Sequence, residues 1–154
     1  MNLQIFELKV PPPIVAAVTA VAMWGLSTAT PHWMAPPARI AVAWVIAAVG
    51  VAFAASGVIA FRRARTTMNP TTPDSASALV TTGVYRLTRN PMYVGLLLIL
   101  LAWAIYLSSG WALPLPLLFA AFINRFQIAP EERALAALFG ADYLGYQTRV
   151  RRWL

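Results

Sequence analysis

Cysteine is absent from this chain of 154 residues, histidine occurs once, and aspartate and glutamate together number five. The first absence excludes disulfides, thiolate metal ligands and cysteine nucleophiles. Together with the single histidine it leaves a typical transition-metal site without its ligands, and no metal is expected. Charge is scarce as well. Only 11% of residues are charged while 60% are hydrophobic, and mean hydropathy is +0.66. A soluble domain of ordinary composition carries about 25% charged residues. Too few polar groups remain to coat a water-facing globule, so the chain reads as an integral membrane protein. The net charge of +7 would favour nucleic-acid binding in a soluble protein. Here the charges lie between hydrophobic stretches, so membrane orientation explains them and no nucleic-acid partner is expected. The start, MNLQIFELKVPPP, lacks the charged opening and small-residue cleavage site of a signal peptide.

What is present is a series of apolar stretches. A helix needs roughly 17 to 25 mostly apolar residues to cross about 30 Å of hydrocarbon. Four stretches qualify, at about 13–30, 38–61, 91–107 and 111–128. Pro11, Pro12 and Pro13 fix the start of the first, while Pro114 and Pro116 should kink or shorten the fourth. The expected fold is all-α: a polytopic transmembrane helical bundle of about four spans plus C-terminal interfacial helices, with residues 1–154 forming one integral membrane domain. Ala47, Gly50, Ala54 and Gly57 recur at three- and four-residue spacing. They give the second span a smooth face, read as a helix-packing surface in preference to a lipid groove.

Orientation follows from the basic residues. With the N-terminus inside, the inner segments hold Lys9, Arg62, Arg63, Arg65, Arg86, Arg89, Arg125, Arg133, Arg149, Arg151 and Arg152, and the outer loops hold only Arg39. Both termini are therefore expected in the cytoplasm, with a bacterial inner membrane as the setting. Trp33 and Trp111 then fall at the outer interface and Trp153 near the inner one. Segment 66–82 is rich in Thr, Ser and Pro and reads as a loop. The helical pattern resumes at Pro130, Gly140 can end that piece as a C-terminal cap, and a second short helix carries Tyr143 and Tyr146. Both pieces are too polar to span and should lie on the inner surface.

The interiors of the spans hold no ionisable residue of the kind that transporters and pumps depend on, which argues against transport. Polar residues gather instead at the inner ends of spans three and four. Asn90-Pro91 is a good helix start, since asparagine caps well and proline at the first position loses no needed donor. Read plainly, this is a capped helix with interfacial arginines. The functional reading adds an anion site, made by the helix N-terminus with Arg86 and Arg89. Glu131 and Glu132 are stabilised by the dipole of a first helical turn, yet they also face the arginine-rich cluster. Carboxylates and guanidiniums at one mouth suit a zwitterionic ligand. Tyr93, Tyr143 and Tyr146 offer stacking surface for a ring, or are ordinary interfacial tyrosines. His32 lies in the outer loop, away from this cluster.

Gly83-Val84-Tyr85-Arg86, then Arg89-Asn90-Pro91-Met92-Tyr93-Val94-Gly95, then Glu131-Glu132 and Phe139-Gly140-Ala141-Asp142-Tyr143-Leu144-Gly145-Tyr146 resemble the isoprenylcysteine carboxyl methyltransferase family, which is related to phospholipid N-methyltransferases. The resemblance covers roughly residues 79–154. It implies S-adenosylmethionine bound at the cytosolic ends of the last two spans and enclosed by the tail. Tyr85, Arg89, Asn90, Pro91, Tyr93, Gly95, Glu131, Glu132 and Tyr143 would bind the cofactor, and Arg89, Asn90 and Arg125 would serve catalysis. The family usually has histidine where this chain has Asn90. Asparagine can cap and hydrogen-bond, but it cannot become cationic or act as a base.

The residues agree with that cofactor. Its carboxylate suits the arginines and helix N-terminus, and its ammonium suits Glu131 or Glu132. A carboxylate acceptor needs no base, whereas an ammonium must first lose a proton. With no histidine in the cluster, an acceptor needing little activation is the easier fit. The expected activity is methyl transfer to a lipid-like or prenyl-type acceptor reaching the site from the inner leaflet, with membrane lipids as surroundings. Two alternatives stay open: an NADPH-dependent membrane reductase of related architecture, and a non-enzymatic interaction protein whose basic tail binds anionic lipids.

Overall fold

Proline sets the start of each of the first three helices. Its fixed φ suits a first turn and its missing N–H is not needed there. Helix α1 runs Pro12–Ser27, α2 Pro36–Ala64 and α3 Pro91–Leu107. The Pro11 carbonyl accepts the N–H groups of Ile14 and Val15 at 2.9 and 3.3 Å, closing the first turn of α1. A 3-10 turn, Gly83–Arg86, precedes α3. Helix α4, Leu115–Ile123, passes through a π-helical segment, Asn124–Ile128, into α5, Ala129–Arg149. The computed structural model describes residues 7–29, 31–66 and 76–154, and among these it is all-helical with no strand. Thr30, expected to end the first span, residues 67–75 of the expected loop and the first six residues lie outside the described residues.

The third stretch has the bounds expected of it, and α2 extends beyond its own at both ends. The fourth differs. Residues 111–114 form a turn, so regular helix begins only at Leu115. At its other end the expected break before Pro130 does not occur. Pro130 has no N–H for the carbonyl four residues back, that of Phe126. The helix widens there into π geometry, and the Phe126 carbonyl accepts the N–H of Leu8 at 3.0 Å. The helix then continues to Gly140, whose φ of 52° interrupts α5 as the expected cap would. Glycine reaches that left-handed region without a Cβ penalty.

The small-residue face of α2 is a packing surface. Ala43, Gly50 and Gly57 are the buried positions of this helix, seven residues apart. They meet α3 so closely that a Cβ on Gly95 would lie 2.6 Å from the Gly50 carbonyl oxygen and 2.8 Å from the Ala54 Cβ. Elsewhere α2 is apolar and open, with Trp44 73% exposed. Among the described residues α2 alone has the length and composition to cross a membrane, while α1 and α3 are shorter apolar helices. Opposite α2, the faces of α1, α3, α4 and the π-helical segment share a core that includes Met23, Leu100, Ala104, Phe119, Ile123 and Ile128.

The bundle has two distinct ends. At one, the α1–α2 connection caps α3. Trp33 and Met34 donate their N–H groups to Ser108 Oγ at 3.1 and 2.8 Å, and His32 Nδ1 donates to the Leu107 carbonyl at 2.8 Å. His32 is thus a structural loop residue. At the other end gather Leu8, the arginines closing α2, the 3-10 turn, the start of α3 and everything after Ile123.

Candidate functional site

The site is built where α3 begins. Asn90 is the N-cap by position: its carbonyl accepts the N–H groups of Tyr93 and Val94, each at 3.0 Å. Its side chain makes no capping bond, which corrects the expectation of a side-chain cap. The Asn90 amide instead donates from Nδ2 to the Arg152 carbonyl at 2.9 Å. Fully buried Thr88 donates to the same carbonyl at 3.2 Å, while its Oγ1 accepts the Asn90 N–H at 3.1 Å. The tail after α5 is thereby laced to the segment before α3, and the asparagine is drawn to the tail.

Arg89 is the centre of the arrangement. Its backbone N–H donates to the Arg151 carbonyl at 2.9 Å. Nη1 donates to the carbonyls of Gln147 and Val150 at 3.1 and 2.7 Å, and Nη2 meets Glu132 Oε1 at 2.8 Å. Its Nε is buried with no hydrogen-bond partner among the described residues. Arg152 grips the same carboxylate, Nη2 on Oε2 at 2.5 Å and Nε on Oε1 at 3.1 Å. Burial raises the pKa of Glu132, but the hydrogen bonds and charges of Arg152 and Arg89 outweigh it and hold the carboxyl below its usual range. The bond to Glu132 in turn raises Arg152.

Glu131, one residue earlier, has a different environment. Its Oε1 accepts the Tyr93 hydroxyl at 2.5 Å and the Gln127 amide at 2.6 Å, both neutral donors. Burial pushes its carboxyl up to about 7, opposed by those two bonds and aided by the charge of Glu132. Two adjacent glutamates are therefore separated in protonation, Glu131 by burial without a cationic partner among the described residues and Glu132 by its two guanidiniums. Beside them lies an aromatic cluster of Tyr85, Tyr143 and Tyr146, all buried. Tyr146 donates its hydroxyl to the Tyr85 carbonyl at 2.6 Å, and Tyr85 stands edge-on to Phe61 at 5.5 Å. Burial raises all three phenols, Tyr143 to about 12.

Of the residues expected at the site, Arg89, Asn90, Pro91, Tyr93, Glu131 and Glu132 come together, with Tyr85 and Tyr143 in the adjoining cluster. Gly95 stands apart, at the contact of α3 with α2. Arg125 stands apart as well: it pairs with Glu7 at 2.5 Å and lies over the Phe126 ring. Arg86 is exposed. Sequence reasoning missed Gln127, Thr88 and the part Arg152 plays. Gln127 carried a usable signal, because it precedes Glu131 by four residues on a helix. Arg152 was visible only as one of a basic run, and Thr88 carried none. Chemically, the cluster offers an arginine with an unused buried donor, an ion-paired carboxylate and a carboxyl near neutrality. That donor set suits a zwitterionic ligand.

An uncharacterized protein of Haemophilus influenzae is 49% identical over 63 residues, which span 41% of this chain and all of that protein. No solved structure matches. A sequence model of the phospholipid methyltransferase family matches residues 38–142, a segment that takes in α2, α3, α4, the π-helical segment and both glutamates. With more than half of its length matched, this chain belongs to the phospholipid methyltransferase family.

Proposed function

We propose that this chain transfers a methyl group from S-adenosylmethionine to a lipid-like acceptor, as an isoprenylcysteine carboxyl methyltransferase-like member of its family. The observation that carries this reading is Glu132, in the first turn of α5, held between Arg89 and Arg152, beside a second carboxyl that no cation among the described residues neutralises. The residues fit the cofactor's amino-acid end. Arg89 Nε supplies a donor for a carboxylate. Arg152, 40% exposed, can yield Glu132 to an ammonium. Segment 150–152 is laced to Thr88, Arg89 and Asn90 beside the site. S-adenosylmethionine, when bound, supplies a methyl group on a cationic sulfur that leaves as a neutral thioether. Positioning and desolvation by these residues can account for up to about 7–11 kcal/mol of barrier lowering. Arg89, Asn90, Pro91, Tyr93, Glu131 and Glu132 form the binding set, with Tyr85 and Tyr143 as its aromatic wall.

Glu131 changes what the acceptor can be. The sequence offered no histidine in this cluster. A carboxyl at about 7 can take a proton from an ammonium at neutral pH, so amine head groups stand beside carboxylates as candidates. The membrane arrangement belongs to the same proposal: four crossings by α1, α2, α3 and the α4 rod as one domain, in a bacterial inner membrane. The bond from Leu8 to Phe126 supports it by setting the first described residues at the same end as the tail. An acceptor with an apolar tail then reaches the site from the inner leaflet.

Mass spectrometry of ligands co-purifying with the detergent-solubilised protein tests the cofactor. S-adenosylmethionine or its demethylated product is expected, and NADPH in its place would establish the reductase reading. In liposomes, methyl transfer should follow the mole fraction of tailed acceptors. Equal rates with a water-soluble analogue at matched bulk concentration would point to a soluble substrate.

A further inference from the structure

Glu7 is held by two guanidiniums at once. Arg125 Nη1 meets its Oε1 at 2.5 Å and Arg133 Nη2 meets its Oε2 at 2.5 Å. The two arginines belong to successive parts of one helical rod, either side of the junction between the π-helical segment and α5. Their side chains are 47% and 59% exposed, while that of Glu7 is 13% exposed. Ordinarily such a pair is a solvated face and contributes little.

Two features set this one apart. One is the geometry, in which a single anion gives one oxygen to each of two guanidiniums, an arrangement that a phosphate satisfies as well as a carboxylate. The other is what leads up to it. Leu117 and Leu118 on α4 and Ile14 and Val18 on α1 are exposed by 53–69%. Leu118 of that apolar surface and Arg125 lie seven residues apart along the same helical rod. Hydrocarbon followed by paired guanidiniums matches the order of acyl chains and phosphate in a phospholipid.

We propose that Arg125 and Arg133 form a binding site for the phosphate of a membrane phospholipid, which Glu7 occupies as an intramolecular stand-in that the phosphate displaces. The proposal rests on the membrane placement given above, and it does not require methyl transfer. It gives Arg125 a part in holding the lipid, away from the Arg89 cluster.

Calorimetric titration of the full chain in dodecyl maltoside tests it, with dihexanoylphosphatidylglycerol as probe and no methyl donor present. A charged hydrogen bond corresponds to roughly 10- to 150-fold in affinity. The Arg125→Gln, Arg133→Gln double variant should therefore bind the probe at least about tenfold more weakly. Glu7→Gln should bind it more tightly than the natural chain. The Arg125→Lys, Arg133→Lys variant should keep most of the affinity, which separates charge from misfolding. Inorganic phosphate should bind more weakly than the lipid by an order of magnitude, because it has no chains to lay on α1 and α4. Unchanged affinity in the glutamine double variant, or no gain in Glu7→Gln, would overturn the proposal. Equal affinity for inorganic phosphate would overturn the lipid assignment. The probe carries no amine, so a negative result would leave methyl transfer to amine acceptors standing.

Discussion

Arg89 and Glu132 are 43 residues apart in sequence, and their side chains meet at 2.8 Å. The contact joins the start of α3 to α5, and Arg152 closes over the same carboxylate. Because Glu132 takes both cations, Glu131 is left, among the described residues, with neutral donors in a buried position. One acid is thereby committed to ion pairing and the other is free to hold or release a proton near neutrality. Such a division between adjacent carboxyls is the pattern expected where acid–base assignments are set by environment.

Glu131 makes stability depend on pH. Its folded value of about 7 lies above the ordinary 4.5, so between those values the folded state binds more protons than the unfolded one. Stability should then fall as pH rises through this window and level off above it, by up to about 3 kcal/mol in all. Glu132 acts oppositely, because its folded value is lowered. Its contribution is present above the ordinary carboxylate range and lost in more acidic solution, outside this window. Thermal unfolding in detergent from pH 5 to 8 should show the slope, and Glu131→Gln should remove it. The same slope in that variant would assign it elsewhere.

The α2–α3 contact should tolerate no added methyl. Gly95→Ala would set a Cβ 2.6 Å from the Gly50 carbonyl oxygen, and overpacking of this kind costs about 1–3 kcal/mol. Gly145→Ala, where nothing lies within 4 Å of the new Cβ, should be neutral or stabilising by up to about 1 kcal/mol. Melting temperatures of the two variants should move in opposite directions or differ clearly. Equal destabilisation would remove close packing as the explanation for Gly95.

These two regions show how much the sequence made legible. Helix α3 could be bounded to the residue, because proline opens it and apolar residues fill it to Leu107. The small face of α2 was readable too, since Gly and Ala at three- and four-residue spacing allow close approach. The passage from α4 to α5 was hidden. Pro130 reads as a boundary in one dimension, and only the partner at Leu8 shows how the Phe126 carbonyl is satisfied without one. At the site, the residue types were readable but their pairing was not. No spacing rule says that Arg152 reaches Glu132, or that Asn90 turns from capping its helix to holding the tail. Gly95 fell within a motif and was read with it, although its neighbours are helix-packing residues.

Asn90 should report on the tail. Asn90→Ala deletes the bond to the Arg152 carbonyl, a loss of about 0.5–1.5 kcal/mol. Hydrogen exchange of residues 150–153 should quicken in that variant while α2 and α3 keep their protection. Asn90→His, which can also donate to a carbonyl, should restore slow exchange. Unchanged exchange in the alanine variant would show that Thr88 and Arg89 hold the tail unaided.

The two ends of the bundle should face opposite sides of the membrane. Gly110 and Ala141 are both exposed, at opposite ends, whereas Ser109 is fully buried and unsuited to labelling. In intact cells, an impermeant thiol reagent should label Gly110→Cys and leave Ala141→Cys untouched until the membrane is permeabilised. The reverse pattern would invert the orientation and place the site outside the cytoplasm.

Direct titration of the purified chain with S-adenosylmethionine is the most direct measurement. Saturable binding is expected. Loss of a charged hydrogen bond costs roughly 10- to 150-fold in affinity, so Arg89→Gln and Glu132→Gln should each weaken binding by that order. Gly145→Ala should bind as the natural chain does. Absence of binding, or equal affinity in the natural chain and both site variants, would contradict a cofactor site built on Arg89 and Glu132.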